Sequence, residues 1–302
     1  NQIFARFTHI VHDVVIIHDP QPLPLIKFYR KRQPWIWRCH IDISTPTMAA
    51  WDYLKKYIIR YDNVVLSSKK FAREDLPSEK KFIPPAIDPL DIKNREMSRD
   101  EAMQVLNSYG IKLDKPIVSQ ISRFDPWKDP FGVIKTFDKV REEVDARLVL
   151  LGSMASDDPE GDSIYKELLE ETRDRSDIIL INKESDKLVN ALQKMSDVVV
   201  QKSLREGFGL TVTEASWKGT AVVASNAGGI PLQVEDGETG FLEEPHDFEA
   251  FAEKICYLLQ NPVEAKKMGQ KGKELVREDF LVTRLMLDWI KELRDILATT
   301  RC

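Results

Sequence analysis

The chain has 302 residues, 42% of them hydrophobic and 31% charged, which describes a globular, water-soluble protein long enough for two domains at roughly 100–200 residues each. The charged share exceeds the roughly 25% usual for soluble domains and points weakly to a thermophile. Its 44 basic and 49 acidic residues leave a formal net charge of -5, so no general attraction to nucleic acid or to an anionic membrane surface is expected.

The three cysteines, Cys39, Cys256 and Cys302, form no CxxC pair, so neither a disulfide framework nor a structural zinc is expected, and a reducing cytoplasmic setting fits. No apolar run approaches the ~18 residues of a membrane helix. Asn1 to His9 carry no signal-peptide pattern. One run interleaves basic and aromatic residues, Lys27 to Arg38 (KFYRKRQPWIWR). It is the one candidate for a phosphate- or sugar-facing basic patch, against the plainer reading of a solvated loop or helix end.

In chain order, short β-branched runs predict strands at Asp13–Pro22, Trp35–Asp42, Asn63–Ser68 and Lys80–Asp88. Between the second and third, Met48, Trp51, Tyr53, Leu54, Tyr57 and Ile58 give an approximate helical face, with Pro46 or Thr47 near its start. Pro89 to Lys115 reads as a linker holding a short amphipathic stretch that stops at Gly110. After it the rhythm restarts with strands at Pro116–Phe124, Ala146–Ser153, Asp177–Asn182, Asp197–Ser203 and Ala221–Ser225. Helices alternate with them, and three more close the chain at 248–260, 263–277 and 282–297. Alternation of this kind predicts an α/β fold with mainly parallel sheets. The expected division is a first Rossmann-like domain over 1–112, a second over 113–284 and a C-terminal helix, 285–302, crossing back to the first.

The chemistry concentrates in Glu206-Gly-Phe-Gly-Leu-Thr-Val-Thr-Glu214. After a strand, Gly207, Phe208 and Gly209 turn into a helix starting near Leu210 and Thr211. Backbone N–H groups and the helix dipole at such a start favour an anion. Glu214, one turn further on, can accept hydrogen bonds from the vicinal hydroxyls of a ribose, while Glu206 stands before the helix. The two carboxylates can thus flank one ligand with a diphosphate between them. The alternative is that Glu206 merely caps the helix and Glu214 is solvated. Arg123 and Lys128, on the loop after the first strand of this half, are placed to neutralise a departing diphosphate, or are ordinary surface cations. The third glycine of a dinucleotide fingerprint is missing, since Val212 holds its place.

On the N-terminal side, an extended Arg-Cys-His-Ile-Asp puts Arg38, His40 and Asp42 on one face and buries Cys39 and Ile41. His18, followed by Asp19 at another strand end, is a secondary candidate; His9 and His12 read as structural. No carboxylate or histidine cluster has metal-ligand spacing, so no protein-bound metal, Mg2+ included, is expected. The acidic loop SDDPEGDS, Ser156 to Ser163, lacks the calcium-loop pattern and reads as solvated.

With these motifs together, the chain resembles the retaining GT-B glycosyltransferases of the glycogen-synthase-like, E-x7-E class. The resemblance rests on EGFGLTVTEASWKG, the upstream SRFDPWKDP and the downstream GTAVVASNAGGIPLQVEDGETGFLEEP. VVIIHDPQPLPL and WIWRCHIDIS resemble one branch, the trehalose glycosyltransferring synthases; the related trehalose phosphorylases share much of the pattern. The resemblance implies two Rossmann-like domains facing a cleft and transfer of glucose, with retention, from ADP-, UDP- or GDP-glucose to free glucose. No cofactor is needed beyond the nucleotide-sugar substrate. By it, Arg123 and Lys128 bind the donor diphosphate, Glu206 the donor sugar and Glu214 the ribose. The amides of Gly209, Leu210 and Thr211 complete the phosphate cradle, with Gly207 and Phe208 in the turn. Ile181 to Leu188, with Asn182 and Leu188, lies near the base. His40 stands near the scissile bond, with Arg38, Asp42 and His18 on the acceptor side. A phosphorylase using inorganic phosphate and a nucleotide-sugar-binding module without full activity are the competing readings.

The pattern departs from the class at its start. No glycine-rich loop precedes Asp13, the first half is much the shorter, and the first residue is Asn1. The expectation is therefore a first domain lacking its opening strands and helices. Its exposed sheet edge would favour a homodimer.

Overall fold

The computed structural model describes residues 1–152 and 159–300. Ser156 to Asp158 of the acidic loop and Cys302 lie outside the described residues. Contacts divide the chain into one compact unit of Asn1–Pro85 with Thr283–Cys302, and another of Ala86–Val282.

The first unit opens with helix α1 (Gln2–Phe7) and holds strands β1 (Val15–His18), β2 (Trp35–Arg38), β3 (Asn63–Leu66) and β4 (Glu79–Phe82), with helix α2 (Met48–Ile58) between β2 and β3. The strands pair in parallel in the order β1-β2-β3-β4. Their side chains alternate between two apolar layers, as the pleat requires. Val15, Ile17, Trp35, Trp37, Val64 and Leu66 pack with Trp51 and Ile58 of α2. Ile36 and Val65 pack on the other face with Ile83 and Ile296. Ile296 belongs to the last helix, α10 (Val282–Thr300), whose Trp289 and Leu293 join that layer and whose Glu292 accepts a hydrogen bond from Asn63 at 2.5 Å. The basic and aromatic run is split by this architecture. Trp35 to Arg38 form a buried strand, while Lys27, Arg30, Lys31 and Arg32 before it are exposed and Lys31 pairs with Asp62 at 2.6 Å.

The second unit comprises helix α3 (Arg99–Ser108), strand β5 (Ile117–Ile121), helix α4 (Pro130–Glu143), strand β6 (Arg147–Gly152), helix α5 (Pro159–Glu171), strand β7 (Ile178–Asn182), helix α6 (Asp186–Met195), strand β8 (Val198–Gln201), helix α7 (Leu210–Trp217), strand β9 (Ala221–Ser225), strand β10 (Phe241–Glu243), and helices α8 (Phe248–Gln260) and α9 (Pro262–Asp279). The sheet is parallel with order β10-β9-β8-β5-β6-β7. From β5 the chain runs outward through β6 and β7, then returns to β8 beside β5 and runs the other way. Between the carboxyl ends of β5 and β8 lies the switch point where open α/β sheets bind ligands.

The boundary at Pro85 and Ala86 differs from the one read at 112, and residues 89–115 are not a loose linker. Met97, Ala102, Leu106 and Ile111 are buried with Ile117, Val149, Leu188 and Leu192. Asn190 Nδ2 donates to the carbonyls of Ile92 and Arg95, both at 2.9 Å. The amphipathic stretch was legible in the sequence, but its packing on the second unit's core, which makes the segment part of that unit, was not. Strand β10 and helix α1, three and six residues long, are too short to show a period in the sequence. Among the described residues no helix is long and apolar enough to cross a membrane.

Candidate active site

At the end of β5, Asp125 shapes the turn that presents Lys128: its Oδ1 accepts from the N–H groups of Trp127 at 2.9 Å and Lys128 at 3.1 Å. Lys128 Nζ donates to Glu206 Oε2 at 2.5 Å. That same oxygen accepts from Ser203 Oγ at 3.2 Å and Gln201 Nε2 at 3.4 Å. Two loops leaving neighbouring strands are thus joined, and Leu204 N–H donating to the Trp127 carbonyl at 2.7 Å fixes their spacing. The Arg205 guanidinium lies over the Trp127 ring, 4.6 Å from its centroid. Arg123 stands apart from this pair, exposed, with Asp125 3.3 Å from its guanidinium.

Gly209, at φ +85°, is the N-cap of α7, a conformation that glycine adopts without penalty. Gly228 is under a tighter constraint: a Cβ there would stand 1.8 Å from the Glu206 carbonyl oxygen, and its φ is +55°. The Glu206-Gly207-Phe208 backbone therefore packs directly on the loop after β9, with Gly229 N–H donating to the Gly207 carbonyl at 2.9 Å. Gln233 Nε2 donates to the Phe208 carbonyl, while the Phe208 ring is buried against Phe280, so Phe208 braces the turn from behind. The opening N–H groups of α7, at Leu210 and Thr211, belong to the first turn of a helix, where backbone donors have no intrahelical partner. Thr211 Oγ1 donates to the Ile121 carbonyl at 3.2 Å and ties this helix start to the end of β5.

Glu214 is buried, not solvated, at 8% exposure. Gln193 Nε2 donates to its Oε2 at 3.3 Å, and Lys93 Nζ lies 3.8 Å from its Oε1. Burial pushes the Glu214 carboxyl up from its ordinary range, against the pull of the Lys93 charge. Lys218, at the end of α7, is driven down to about 8 by its own burial. Asn182 ends β7, half-buried. Leu188 is fully buried in the core, so its side chain cannot meet a ligand, and its N–H is taken by Ser185 Oγ at 3.3 Å.

In the first unit, His18 Nδ1 and His40 Nε2 are 2.9 Å apart with the rings stacked. One of these nitrogens carries the proton and the other accepts it. Asp19, at φ +65°, accepts from the His40 N–H at 2.9 Å. The expected common face of Arg38, His40 and Asp42 does not form, because β2 ends at Arg38 and the alternation ends with it. Arg38 is buried at 2% exposure, donates to Ser67 Oγ at 3.3 Å, and is brought down to about 10 by desolvation. His40 is exposed, and Asp42 turns aside to accept the Ser44 N–H at 2.8 Å. Cys39 is buried as read, with its thiol pushed up to about 12 by desolvation, but Ile41 is 47% exposed.

Residues 104–275 match the family described as glycosyl transferases group 1, and residues 1–73 match the trehalose synthase N-terminal domain. The chain belongs to the group 1 glycosyl transferases, among the trehalose synthases. The trehalose synthase of Thermococcus litoralis is 46% identical over 277 residues, which cover 90% of this chain and 67% of that protein. A trehalose phosphorylase of Grifola frondosa is 33% identical over 285 residues, covering 82% of this chain and 39% of the relative. Among solved structures, the sucrose-phosphate synthase of Thermosynechococcus elongatus superposes with a TM-score of 0.82 at 20% identity, covering 95% of this chain and 74% of that one. The Anabaena protein HepE in complex with UDP-glucose gives 0.79 at 20% identity, covering 99% and 80%. These likenesses show the GT-B fold.

For a group 1 glycosyl transferase, the donor-side residues read from sequence fall at the ends of β5 and β8 and on α7, apart from Asn182 at the end of β7 and Leu188 on α6. His18, Arg38, His40 and Asp42 fall in the first unit, where His18 pairs with Arg38 across β1 and β2 and its ring meets that of His40. The sequence reading passed over Gln201 and Ser203 at Glu206, and Lys93 and Gln193 at Glu214. Lys93 is far from Glu214 in sequence, inside a stretch that reads as linker, and no local spacing signals it. Among the described residues no group of three or more His, Cys, Asp or Glu is placed to hold a metal ion.

Proposed function

We propose that this chain transfers glucose from a nucleotide-activated glucose to free glucose with retention, forming trehalose. The observation that carries the reading is the Lys128 to Glu206 ion pair set at the mouth of a glycine turn that opens α7, with a second, buried carboxylate, Glu214, one helical turn beyond. The arrangement offers one cation and a helix start to a diphosphate, one carboxylate to the sugar and one to the ribose. Arg123, exposed on the same loop as Lys128, supplies the second cation when a donor is bound. The names of the relatives support trehalose as product, and the UDP-glucose bound by an Anabaena protein of the same fold supports a nucleotide sugar as donor.

In the reaction, the bond between the anomeric carbon and the phosphate oxygen breaks, and a bond to the acceptor hydroxyl forms on the same face of the sugar. The acceptor's proton passes to the departing phosphate oxygen. Lys128, Arg123 and the α7 N–H groups offset the charge that develops there. Glu206, held by Ser203, Gln201 and Lys128, serves the sugar hydroxyls. His40, held by His18 and Asp19, is the first unit's candidate for a part in the transfer.

Incubating the chain with glucose and ADP-, UDP- or GDP-glucose tests this. Trehalose should form with at least one donor, and Lys128→Ala should reduce the rate by about 100-fold or more, the scale seen when one transition-state donor is removed. Consumption of none of the three donors, with trehalose and inorganic phosphate yielding glucose 1-phosphate instead, would establish the phosphorylase reading that the Grifola relative favours.

A further inference from the structure

Glu214 poses a problem for any site that uses it to accept hydroxyl hydrogen bonds. A buried carboxyl tends toward the neutral form, and a neutral carboxyl both loses acceptor capacity and brings a donor of its own. The structure answers with one residue from a distant part of the chain. Lys93 Nζ lies 3.8 Å from Glu214 Oε1 and 3.6 Å from Asp186 at the start of α6. The segment bearing it is fixed on every side. Lys93 N–H donates to Asp91 Oδ1 at 2.9 Å, Trp217 Nε1 to the Asn94 carbonyl at 3.1 Å, and Lys218 Nζ to Asn94 Oδ1 at 3.2 Å. Asn190 holds the carbonyls of Ile92 and Arg95. Six residues on two helices and a loop thus hold a single half-exposed ammonium beside the carboxylate.

We propose that Lys93 is a positioning residue for the nucleotide's ribose, holding the Glu214 carboxylate ready to accept from the ribose hydroxyls. The proposal rests on the reading of Glu214 as the ribose acceptor. The charges facing Glu214 are Lys93 from the loop before α3, Lys218 from its own helix and Asp186 from α6; Gln193 adds a neutral hydrogen bond. Lys218 spends its ammonium on Asn94 and on the Glu214 carbonyl at 3.1 Å, which leaves Lys93 as the cation nearest to Oε1. With the Lys93 charge removed, the carboxyl protonates at higher pH, so ribose recognition fails earlier as pH falls.

The experiment titrates the chain calorimetrically with whichever of ADP, UDP and GDP binds best, and with its 2′- and 3′-deoxy forms. In the unmodified chain at least one deoxy form should bind about tenfold more weakly, the scale of one hydrogen bond to a charged group. Lys93→Met should bring the ribose and deoxyribose forms within about twofold, with the loss confined to the ribose form, and Lys93→Arg should restore the preference. A melting curve on each variant separates this from unfolding. Retained preference in Lys93→Met alongside its loss in Glu214→Gln overturns the role of Lys93. Retained preference in Glu214→Gln itself overturns the ribose reading beneath it. Should Lys93→Met unfold, the arginine variant carries the test: a lost preference in folded Lys93→Arg refutes the charge-based role, and a kept preference supports it.

Discussion

The carboxyl ends of β5 and β8 and those of β1 and β2 are the same kind of place in two parallel sheets, but they hold their candidate residues by different means. At β5 and β8, Glu206 is anchored by three side chains, and its backbone is packed so closely on the next loop that only glycine fits at 228. At β1 and β2, His40 leans on one aspartate and one histidine and its ring stays exposed. A site built from apposed backbones is pre-organised by the fold itself and fails when the fold is disturbed. A site built from two rings is set by charge and protonation, and is disturbed gently. That difference can be broken or sharpened by measurement.

The largest effect is expected at Gly228. Gly228→Ala forces a Cβ against the Glu206 carbonyl oxygen at a positive φ, and the combined clash and backbone strain should cost about 3 kcal/mol or more in chemical denaturation. Gly110→Ala is the control. It has a similar φ of +74° but nothing within 4 Å of the added carbon, so only the backbone term of about 1–2 kcal/mol remains. Equal losses in the two variants would mean that the close approach of the two loops contributes nothing.

The contrast also explains what the sequence disclosed. Glu206, Gly207, Gly209 and Glu214 lie within nine residues, so one strand-turn-helix unit determines their relation, and local pattern is enough to find them. The parallel sheets were legible because buried strands such as VVIIH and NVVL are apolar on both faces. Lys93 was not legible, because its neighbour Glu214 is brought to it by tertiary packing alone. Leu188 was misjudged for the opposite reason: a short helix with one strongly apolar side commits that side to the core. The domain division shifted because the amphipathic stretch of α3 was legible, but the packing of Ala102 and Leu106 on the second unit's core beside α6 is a tertiary contact that local pattern does not disclose.

A smaller effect is expected at the histidine pair. Partial desolvation, then the Arg38 guanidinium, then His18, hold His40 below its usual 6.5, while Asp19 pulls the other way. A histidine harder to protonate in the folded than in the unfolded chain makes the unfolded chain the better proton binder. Stability therefore rises with pH across the window from the depressed folded value to about 6.5, and its benefit is lost as pH falls through that window. Following the His40 ring by NMR should give a titration below 6.5 that moves up in both Arg38→Met and His18→Ala, and further in the former. A larger movement in His18→Ala would make the ring contact, not the buried guanidinium, the controlling influence.

The smallest effect tests where β2 ends. Had the extended backbone continued through Asp42, Cys39 and Ile41 would both face the core, and polar substitutions at either would be costly. In the structure the strand stops at Arg38, Cys39 is fully buried with its Sγ 3.4 Å from the Ile41 carbonyl, and Ile41 is open to solvent. Cys39→Ser places a hydroxyl in an apolar layer beside Trp37 and Ile43 and should cost about 1–2 kcal/mol. Ile41→Ser should stay within about 0.5 kcal/mol of the unmodified chain. Comparable losses at the two positions in the same denaturation series would restore the period of two, and with it a shared face for Arg38, His40 and Asp42. Unequal losses leave Arg38 buried and His40 exposed beyond the strand's end with a histidine as its partner, which is the arrangement that the pH dependence above reads out.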